Sequence, residues 1–250
     1  MDRRRALAMM GGLVLCPLCG ANSFSADAHW SYEGATGPAK WGGLDPGNAV
    51  CGVGSQQSPL DIGATIKAQL SPLQISWAKQ GDTIVSNGHT IQVNFAPGST
   101  LTMGTEKYSL VQFHLHRPSE HLVGGKSFAM EVHFVHRNDA GTLAVVGVLV
   151  TTGGRNAVFS KLTATMPTVE NTQAKADADI DPNGLLPMQR AFYYYEGSLT
   201  TPPCSETVNW LLLTDPIQVA DADVASFAKL YPMNARPVQK SNRRFILQSS

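Results

Sequence analysis

The chain has 250 residues, with 19 basic and 19 acidic side chains, so its formal net charge is zero. Hydrophobic residues make up 43% and charged residues 15%, which is enough apolar material for one substantial core. This balance argues against a polybasic nucleic-acid-binding protein and against an acidic tail. We therefore expect one folded domain and no nucleic acid as a partner.

The chain begins with the three parts of a secretory signal peptide. Arg3–Arg5 are basic, residues 6–15 are apolar apart from glycines, and small residues follow. The apolar run is too short to span a bilayer, which takes about 20 residues. We expect residues 1–28 to be the signal peptide, with its cleavage site open between 25 and 28. The mature protein is then periplasmic or secreted and does not stay in the membrane; the arginines also permit twin-arginine export.

The four cysteines fall into two pairs. Cys16 and Cys19 form a C-x-x-C motif, but it lies in the segment expected to be removed, so we expect no redox role for it. Cys51 and Cys204 remain. An even number of cysteines in an exported protein predicts one disulfide.

Strand patterns dominate the rest of the chain. Alternation from residue 108 to 116 predicts one strand, whose first face carries Tyr108, Leu110, Gln112, His114 and His116. Further strand-like runs cover 129–136, 143–151 and 83–95, the last interrupted by a turn at Asn87-Gly88. Helical patterns are short, chiefly 156–163 and 220–231. We expect a mainly β, mixed α+β fold. One domain at 29–250 would have a large, twisted, mostly antiparallel sheet of about ten strands with small peripheral helices.

Three histidines form a metal site by strand geometry. His114 and His116 leave the same face of one strand, about 7 Å apart along it, and the next strand supplies His133. Three neutral nitrogen ligands with an open fourth position are what a catalytic zinc site requires. Gln112 and Glu131 precede two of these histidines by two residues and are the types that orient ligand imidazoles.

The other histidines suit a metal less well. His136 has the opposite parity to His133, His121 falls in the connection between strands, and His29 lies at the expected mature terminus. An alternative is a cupin site, in which Glu120 would be a ligand. The cupin motif needs a glycine at the position of Tyr108. It also needs a second half, patterned with glycine and proline and ending in a histidine, which is not found around His133.

The motifs, taken together, resemble the α-carbonic anhydrases over essentially the whole mature chain. They occur in this order: His29-Trp30-Ser31-Tyr32 with Trp41, Gln57-Ser58-Pro59-Leu60-Asp61-Ile62, Ser86-Asn87-Gly88-His89, Gln112-Phe113-His114-Leu115-His116, Pro118-Ser119-Glu120-His121, Glu131-Val132-His133-Phe134-Val135-His136, Leu143-Ala144-Val145-Val146-Gly147, Tyr195-Glu196-Gly197-Ser198-Leu199-Thr200-Thr201-Pro202-Pro203-Cys204-Ser205-Glu206, and Asn234-Ala235-Arg236-Pro237.

The resemblance implies roles for individual residues. Zinc would be bound by His114, His116 and His133, which Gln112, Glu131 and the backbone carbonyl of Asn234 would orient. Thr200 would accept a hydrogen bond from zinc-bound hydroxide while donating its own to Glu120, and His89 would be the proton shuttle. The substrate pocket would be formed by Val135, Val145, Leu199, Thr201, Val208 and Trp210. The family's disulfide matches Cys51–Cys204.

The resemblance implies a zinc lyase that reversibly hydrates carbon dioxide to bicarbonate and a proton. Its partner would be this small substrate, its oligomeric state monomer or homodimer, and slow hydrolysis of activated esters a side activity. The competing interpretation is a non-catalytic zinc-binding or ligand-binding module on the same fold. That interpretation calls for a missing ligand, and all three histidines are present.

Overall fold

The computed structural model describes residues 29–250. The expected signal peptide, its cleavage site and the Cys16–Cys19 motif lie outside this part of the chain. Within it, no helix is both long and apolar enough to cross a membrane.

Short strands make up most of the described chain. The strands are β1 (Asp61–Ile62), β2 (Ile66–Ala68), β3 (Gln74–Ser76), β4 (Thr83–Ser86), β5 (Ile91–Asn94), β6 (Thr100–Met103), β7 (Glu106–His116), β8 (Leu122–Val123), β9 (Met130–Arg137), β10 (Leu143–Thr152), β11 (Thr172–Lys175), β12 (Phe192–Gly197), β13 (Val208–Leu213), β14 (Ile217–Val219) and β15 (Leu247–Ser249). The α-helices are α1 (Trp41–Leu44), α2 (Val50–Val53), α3 (Ala157–Thr165) and α4 (Asp221–Ala228). Short 3-10 helices cover Gly34–Thr36, Pro38–Lys40, Pro46–Asn48 and Pro182–Leu185.

Thirteen strands form one mixed sheet. Ten of them follow the continuous order β11-β4-β5-β7-β9-β10-β13-β12-β15-β2, while β3, β6 and β14 pair at its sides. Neighbours along this order are antiparallel except at β10–β13 and β15–β2. The predicted fold class is therefore confirmed, with the expected hairpin between β4 and β5.

A β-bulge changes the faces of β7. The pairing with β9 shifts register between Leu110 and Gln112, which leaves Val111 as the extra residue. Tyr108 and Leu110 consequently pack into the large core cluster with Phe113. The uniform alternation predicted for residues 108–116 is wrong for this reason, because a bulge inserts one residue and reverses the parity on one side of it.

The sheet separates two apolar clusters. On β9, Val132 and Phe134 belong to the larger cluster, which also contains side chains from α3 and α4. Val135 lies on the opposite face and packs against the smaller cluster, which includes Val145. His133 has the same parity as Val135, so the face that carries His133 is the one backed by the smaller cluster.

The two longer helices lie close to the predicted segments. The N-cap of α3 is Asn156, whose Oδ1 accepts a hydrogen bond from the backbone N–H of Phe159 at 3.0 Å. Asp221 and Asp223 lie in the first turn of α4, where negative charge is favourable near the helix N-terminus. Both helices cover the larger cluster and contribute nothing to the histidine face.

The expected disulfide is present between Cys51 and Cys204, which are 153 positions apart. It joins α2 to the loop that follows Thr201. Trp41 is fully buried beside it, and Trp30 and Tyr32 pack on the same small cluster. The segment from Trp30 to Trp41 is thereby anchored to the loop that carries Thr200.

Candidate metal centre and active site

Three imidazoles converge at the junction of β7 and β9. His114 lies directly opposite His133 in the strand pairing, and His116 follows two residues later on the same face. The ring centroids are 4.9 Å apart for His114–His116, 5.3 Å for His114–His133 and 4.5 Å for His116–His133. One nitrogen of each ring lies within 4.8 Å of the others, a spacing that permits all three to bind one metal ion.

Each imidazole is held through its other nitrogen. His114 Nδ1 lies 2.8 Å from Gln112 Oε1, and His116 Nδ1 lies 2.7 Å from the backbone oxygen of Asn234. His133 Nε2 lies 2.8 Å from Glu131 Oε1. Because oxygen accepts in each contact, the anchored nitrogen carries the proton. The lone pairs of His114 Nε2, His116 Nε2 and His133 Nδ1 are thus free for a metal.

The three rings are kept neutral by their surroundings. Burial lowers the pKa of His116 to about 4 and lowers the pKa of His133 as well. Burial also places the pKa of His114 well below its usual range, and the neighbouring histidines lower it further. Neutral imidazole is the form that binds metal.

The buried carboxyl of Glu120 lies near the free ring nitrogens of His116 and His133. Glu120 Oε1 accepts a hydrogen bond from the backbone N–H of Arg236 at 2.7 Å, and its Oε2 lies 3.5 Å from His116 Nε2. Burial raises the pKa of Glu120 to about 7, while His133, the Thr200 hydroxyl and the Arg236 N–H lower it. Glu120 Oε2 lacks a close hydrogen-bond partner among the described residues.

His89 lies outside the histidine cluster, at the turn between β4 and β5. Its ring stacks on Trp30 with centroids 3.7 Å apart and an angle of 6°. Asn234 Nδ2 donates to the backbone oxygen of His89 at 2.9 Å and also donates to Leu115 on β7. Asn234 therefore fixes the position of this turn relative to His116, whose ring its own carbonyl anchors.

The predicted substrate-pocket residues lie together, apart from Thr201. They belong to or pack against the smaller apolar cluster: Val135, Val145, Leu199, Val208 and Trp210. The Trp210 ring lies 4.9 Å from the His133 ring and its Nε1 donates to the Ser198 carbonyl at 3.0 Å. Thr201 lines a small cavity with His114 and His116. The histidines thus have an apolar wall on one side and a polar cavity on the other.

Comparisons with known proteins agree with this architecture. Residues 36–250 match the family model described as eukaryotic-type carbonic anhydrase. The chain is 38% identical to a carbonic anhydrase of Nostoc sp., covering 99% of this chain and 97% of the relative, and 42% identical to one of Klebsiella pneumoniae, covering 88% and 91%. The chain belongs to the carbonic anhydrase family.

Structural similarity supports the same assignment. The α-carbonic anhydrase from Thermovibrio ammonificans, solved with the inhibitor sulfanilamide, superposes with a TM-score of 0.86 at 39% identity. The match covers 88% of this chain and 99% of that structure. The protein is accordingly an enzyme of the carbonic anhydrase family.

Sequence reasoning gave no role to His121, which the structure places beside the centre. His121 Nδ1 lies 2.7 Å from Glu131 Oε1, and its Nε2 lies 2.7 Å from the Tyr195 hydroxyl, which donates to Ser58 Oγ at 3.0 Å. The ligand atoms of His121, Glu131 and His133 also lie within 4.8 Å of one another, which would permit a second metal site. The hydrogen bonds through Glu131 account for this proximity without a metal. The two-residue spacing of Glu131 and His133 gave no sign of it, because His121 comes from a separate loop.

Arg236 was also missed as a contributor. Besides its N–H to Glu120, its guanidinium donates to the backbone oxygens of Ser58 at 2.8 Å and Cys51 at 3.2 Å. Arg236 is buried, and burial lowers its pKa to about 10. Arg236 therefore links three separate parts of the chain: the disulfide at Cys51, the backbone at Ser58 and the carboxyl of Glu120.

Proposed function

We propose that this carbonic anhydrase family member reversibly hydrates carbon dioxide to bicarbonate and a proton, using zinc held by His114, His116 and His133. The observation that carries the proposal is the arrangement of three neutral imidazoles, each fixed by an oxygen acceptor with its second nitrogen free. His116 Nε2 is buried and lacks any hydrogen-bond partner in the described chain. An unpaired buried acceptor of this kind is costly unless a metal occupies the space beside it.

The donor set suits zinc. Three neutral nitrogens and no protein carboxylate leave the full charge of a divalent ion to act on a fourth ligand. Zinc would supply a Lewis acid that makes hydroxide available from water near neutral pH, for which carbonic anhydrases are themselves the reference case.

Thr200 and Glu120 would fix the orientation of the oxygen nucleophile. When Glu120 is ionised it can only accept, so the Thr200 hydroxyl donates its proton to the carboxylate. The lone pairs of Thr200 then accept the proton of the nucleophile and direct a lone pair of that oxygen towards the substrate. The backbone N–H of Arg236 supports the ionised form of Glu120 because it donates to the same carboxyl.

The apolar wall would hold carbon dioxide next to the histidines. Carbon dioxide carries no charge and accepts hydrogen bonds weakly, so it gains by leaving water for an apolar surface. Val145, Val208 and Trp210 are almost fully buried, whereas Val135 and Leu199 keep partly exposed surface for such contact.

His89 would carry away the proton released in each turnover. A histidine titrates near neutral pH and can therefore pass protons in both directions. His89 lines the cavity that also contains His114 and His116, so it has access to the site without occupying it. We expect His89→Ala to lower the maximal hydration rate in weak buffer, and added imidazole to restore it.

The decisive experiment is stopped-flow hydration of carbon dioxide by the protein before and after metal removal with a chelator. We expect fast hydration that is lost with the metal and returns with added zinc. His114→Asn should lose zinc and activity together, whereas His136→Gln, on the opposite face of β9, should keep both. A folded protein that retains zinc but hydrates no carbon dioxide would instead support the non-catalytic binding module.

We also propose export of the mature enzyme to the periplasm or medium after removal of residues 1–28. The disulfide between Cys51 and Cys204 supports this, because disulfides persist in oxidising compartments. N-terminal sequencing of the protein from fractionated cells tests it. A first residue between 26 and 29 is expected, and recovery of the uncleaved chain from the cytoplasm would contradict the proposal.

A further inference from the structure

His89 lies between two cavities. The inner cavity, of about 120 Å³, contains His114 and His116, and the outer groove, of about 310 Å³, contains His29 and Glu170. Among the described residues, the lining shared by both consists of Trp30, Tyr32 and His89. Histidine is the residue type in this shared set whose ordinary pKa lies nearest neutral pH, so the boundary between the cavities has one group suited to move a proton across it.

The outer groove brings further titratable groups to the solvent side of His89. The His29 ring lies 6.3 Å from the His89 ring, centroid to centroid, with 28° between their planes. Glu33 and Glu170 are exposed carboxylates that line the same groove, and the phenols of Tyr32 and Tyr231 border it. The two stacked rings are too far apart for direct transfer, so a proton would pass between them through an intervening water molecule.

The charges of the groove act on His89 itself. Burial lowers the pKa of His89, His29 lowers it further, and Glu170 raises it. Positive charge on His29 therefore disfavours positive charge on His89, while the Glu170 carboxylate favours positive charge on His89. Such an arrangement permits a single proton to be shared between the two rings.

We propose that His29 and Glu170 form an outer relay that takes the proton from His89 and releases it to buffer. This rests on the proposed shuttle role of His89. Through an intervening water molecule, the His89 imidazolium gives up its N–H proton and becomes neutral again, while the neutral nitrogen of His29 gains a proton. The resulting His29 imidazolium lies in the groove that the Glu170 carboxylate also lines, and it then loses its proton to a buffer base, which restores both rings.

The test compares His29→Ala and Glu170→Gln with His89→Ala in the zinc-loaded enzyme. Glu106→Gln is the matched control, because it removes an exposed carboxylate at the far end of β7. The kcat and kcat/KM of carbon dioxide hydration are measured in weak buffer and again with added imidazole. Loss of a group that acts only in proton export, after the hydration step, would lower kcat and leave kcat/KM unaffected. A merely structural change would alter both parameters.

We expect His29→Ala to lower kcat in weak buffer by about threefold, less than the ~10²-fold typical for loss of a direct proton-transfer group. Glu170→Gln should give a smaller loss, imidazole should restore both, and kcat/KM and Glu106→Gln should stay at wild-type values. If His89→Ala slows kcat but neither His29→Ala nor Glu170→Gln does, the relay is overturned and the shuttle stands. If His89→Ala also leaves kcat unchanged, the proposed shuttle itself fails. If only His29→Ala lowers kcat, Glu170 is removed from the relay. A fall in kcat/KM in His29→Ala or Glu170→Gln overturns the relay assignment.

Discussion

Glu131 Oε1 lies between two imidazoles, 2.8 Å from His133 Nε2 and 2.7 Å from His121 Nδ1. Its second oxygen accepts the backbone N–H groups of Glu120 at 2.9 Å and His121 at 2.8 Å. Burial raises the pKa of Glu131, but His121 and His133 outweigh it, so the pKa lies well below its usual value. One ionised carboxylate thus orients a proposed zinc ligand and the turn that positions Glu120.

Glu131→Gln should weaken zinc binding. The amide keeps the size of the side chain but loses the charge that fixes the His133 tautomer, and changes of this kind cost about 10- to 100-fold in metal affinity. Competition with a chromophoric chelator measures the affinity, with Glu106→Gln as the exposed-carboxylate control. Wild-type affinity in the Gln variant would show that His133 needs no ionised partner.

Thr200→Val should lower kcat/KM for hydration by about 10²-fold, because the side chain keeps its shape but can no longer orient the nucleophile. Thr200→Ser retains the hydroxyl and should keep most of the activity. Stopped-flow assays at equal zinc content measure the difference. Equal activity of the Val and Ser variants would remove Thr200 and its contact with Glu120 from the mechanism.

Replacing both Cys51 and Cys204 by Ala should lower the free energy of unfolding by about 2–5 kcal/mol, because the unfolded chain loses a cross-link over 153 positions. Urea unfolding at constant zinc concentration measures the loss. The unreduced wild-type protein should show no free thiol from these two residues after denaturation. Two reactive thiols would mean that the bond does not form.

His136 should make the fold sensitive to mild acid. Its ring is buried against Trp77, its Nε2 lacks a hydrogen-bond partner in the described chain, and burial lowers its pKa to about 4. Between pH 4 and about 6.5 the unfolded state binds a proton that the folded state does not, so stability falls as pH falls through this window. The contribution is complete above about pH 6.5, and the total change is about 3 kcal/mol.

His136→Gln tests this by removing the titration. Unfolding free energies measured from pH 4 to 8 should decline less steeply towards acid in the variant than in the wild type. The histidines of the candidate metal site are the same in both proteins, so the difference between the two curves isolates His136. Parallel curves would contradict the assignment.

The sequence by itself identified the strands that carry the candidate metal site. Alternation placed His114 and His116 on one face, and a period of two is a property of any extended strand, whatever surrounds it. The same argument put His136 on the face opposite His133, where it packs on Trp77. Each family motif is a short contiguous run that can be recognised without knowledge of the fold. The order of these motifs therefore extended the resemblance over the whole mature chain.

Only the tertiary structure decided which distant groups meet. The bulge at Val111 reversed the faces of Tyr108 and Leu110, because a bulge depends on the register with β9 and leaves no fixed pattern in its own strand. The contacts of His121 with Tyr195 and of Arg236 with Cys51 join segments far apart in the chain. Periodicity describes the direction of a side chain, whereas its partner is chosen by packing, and for these residues packing alone brought the partners together.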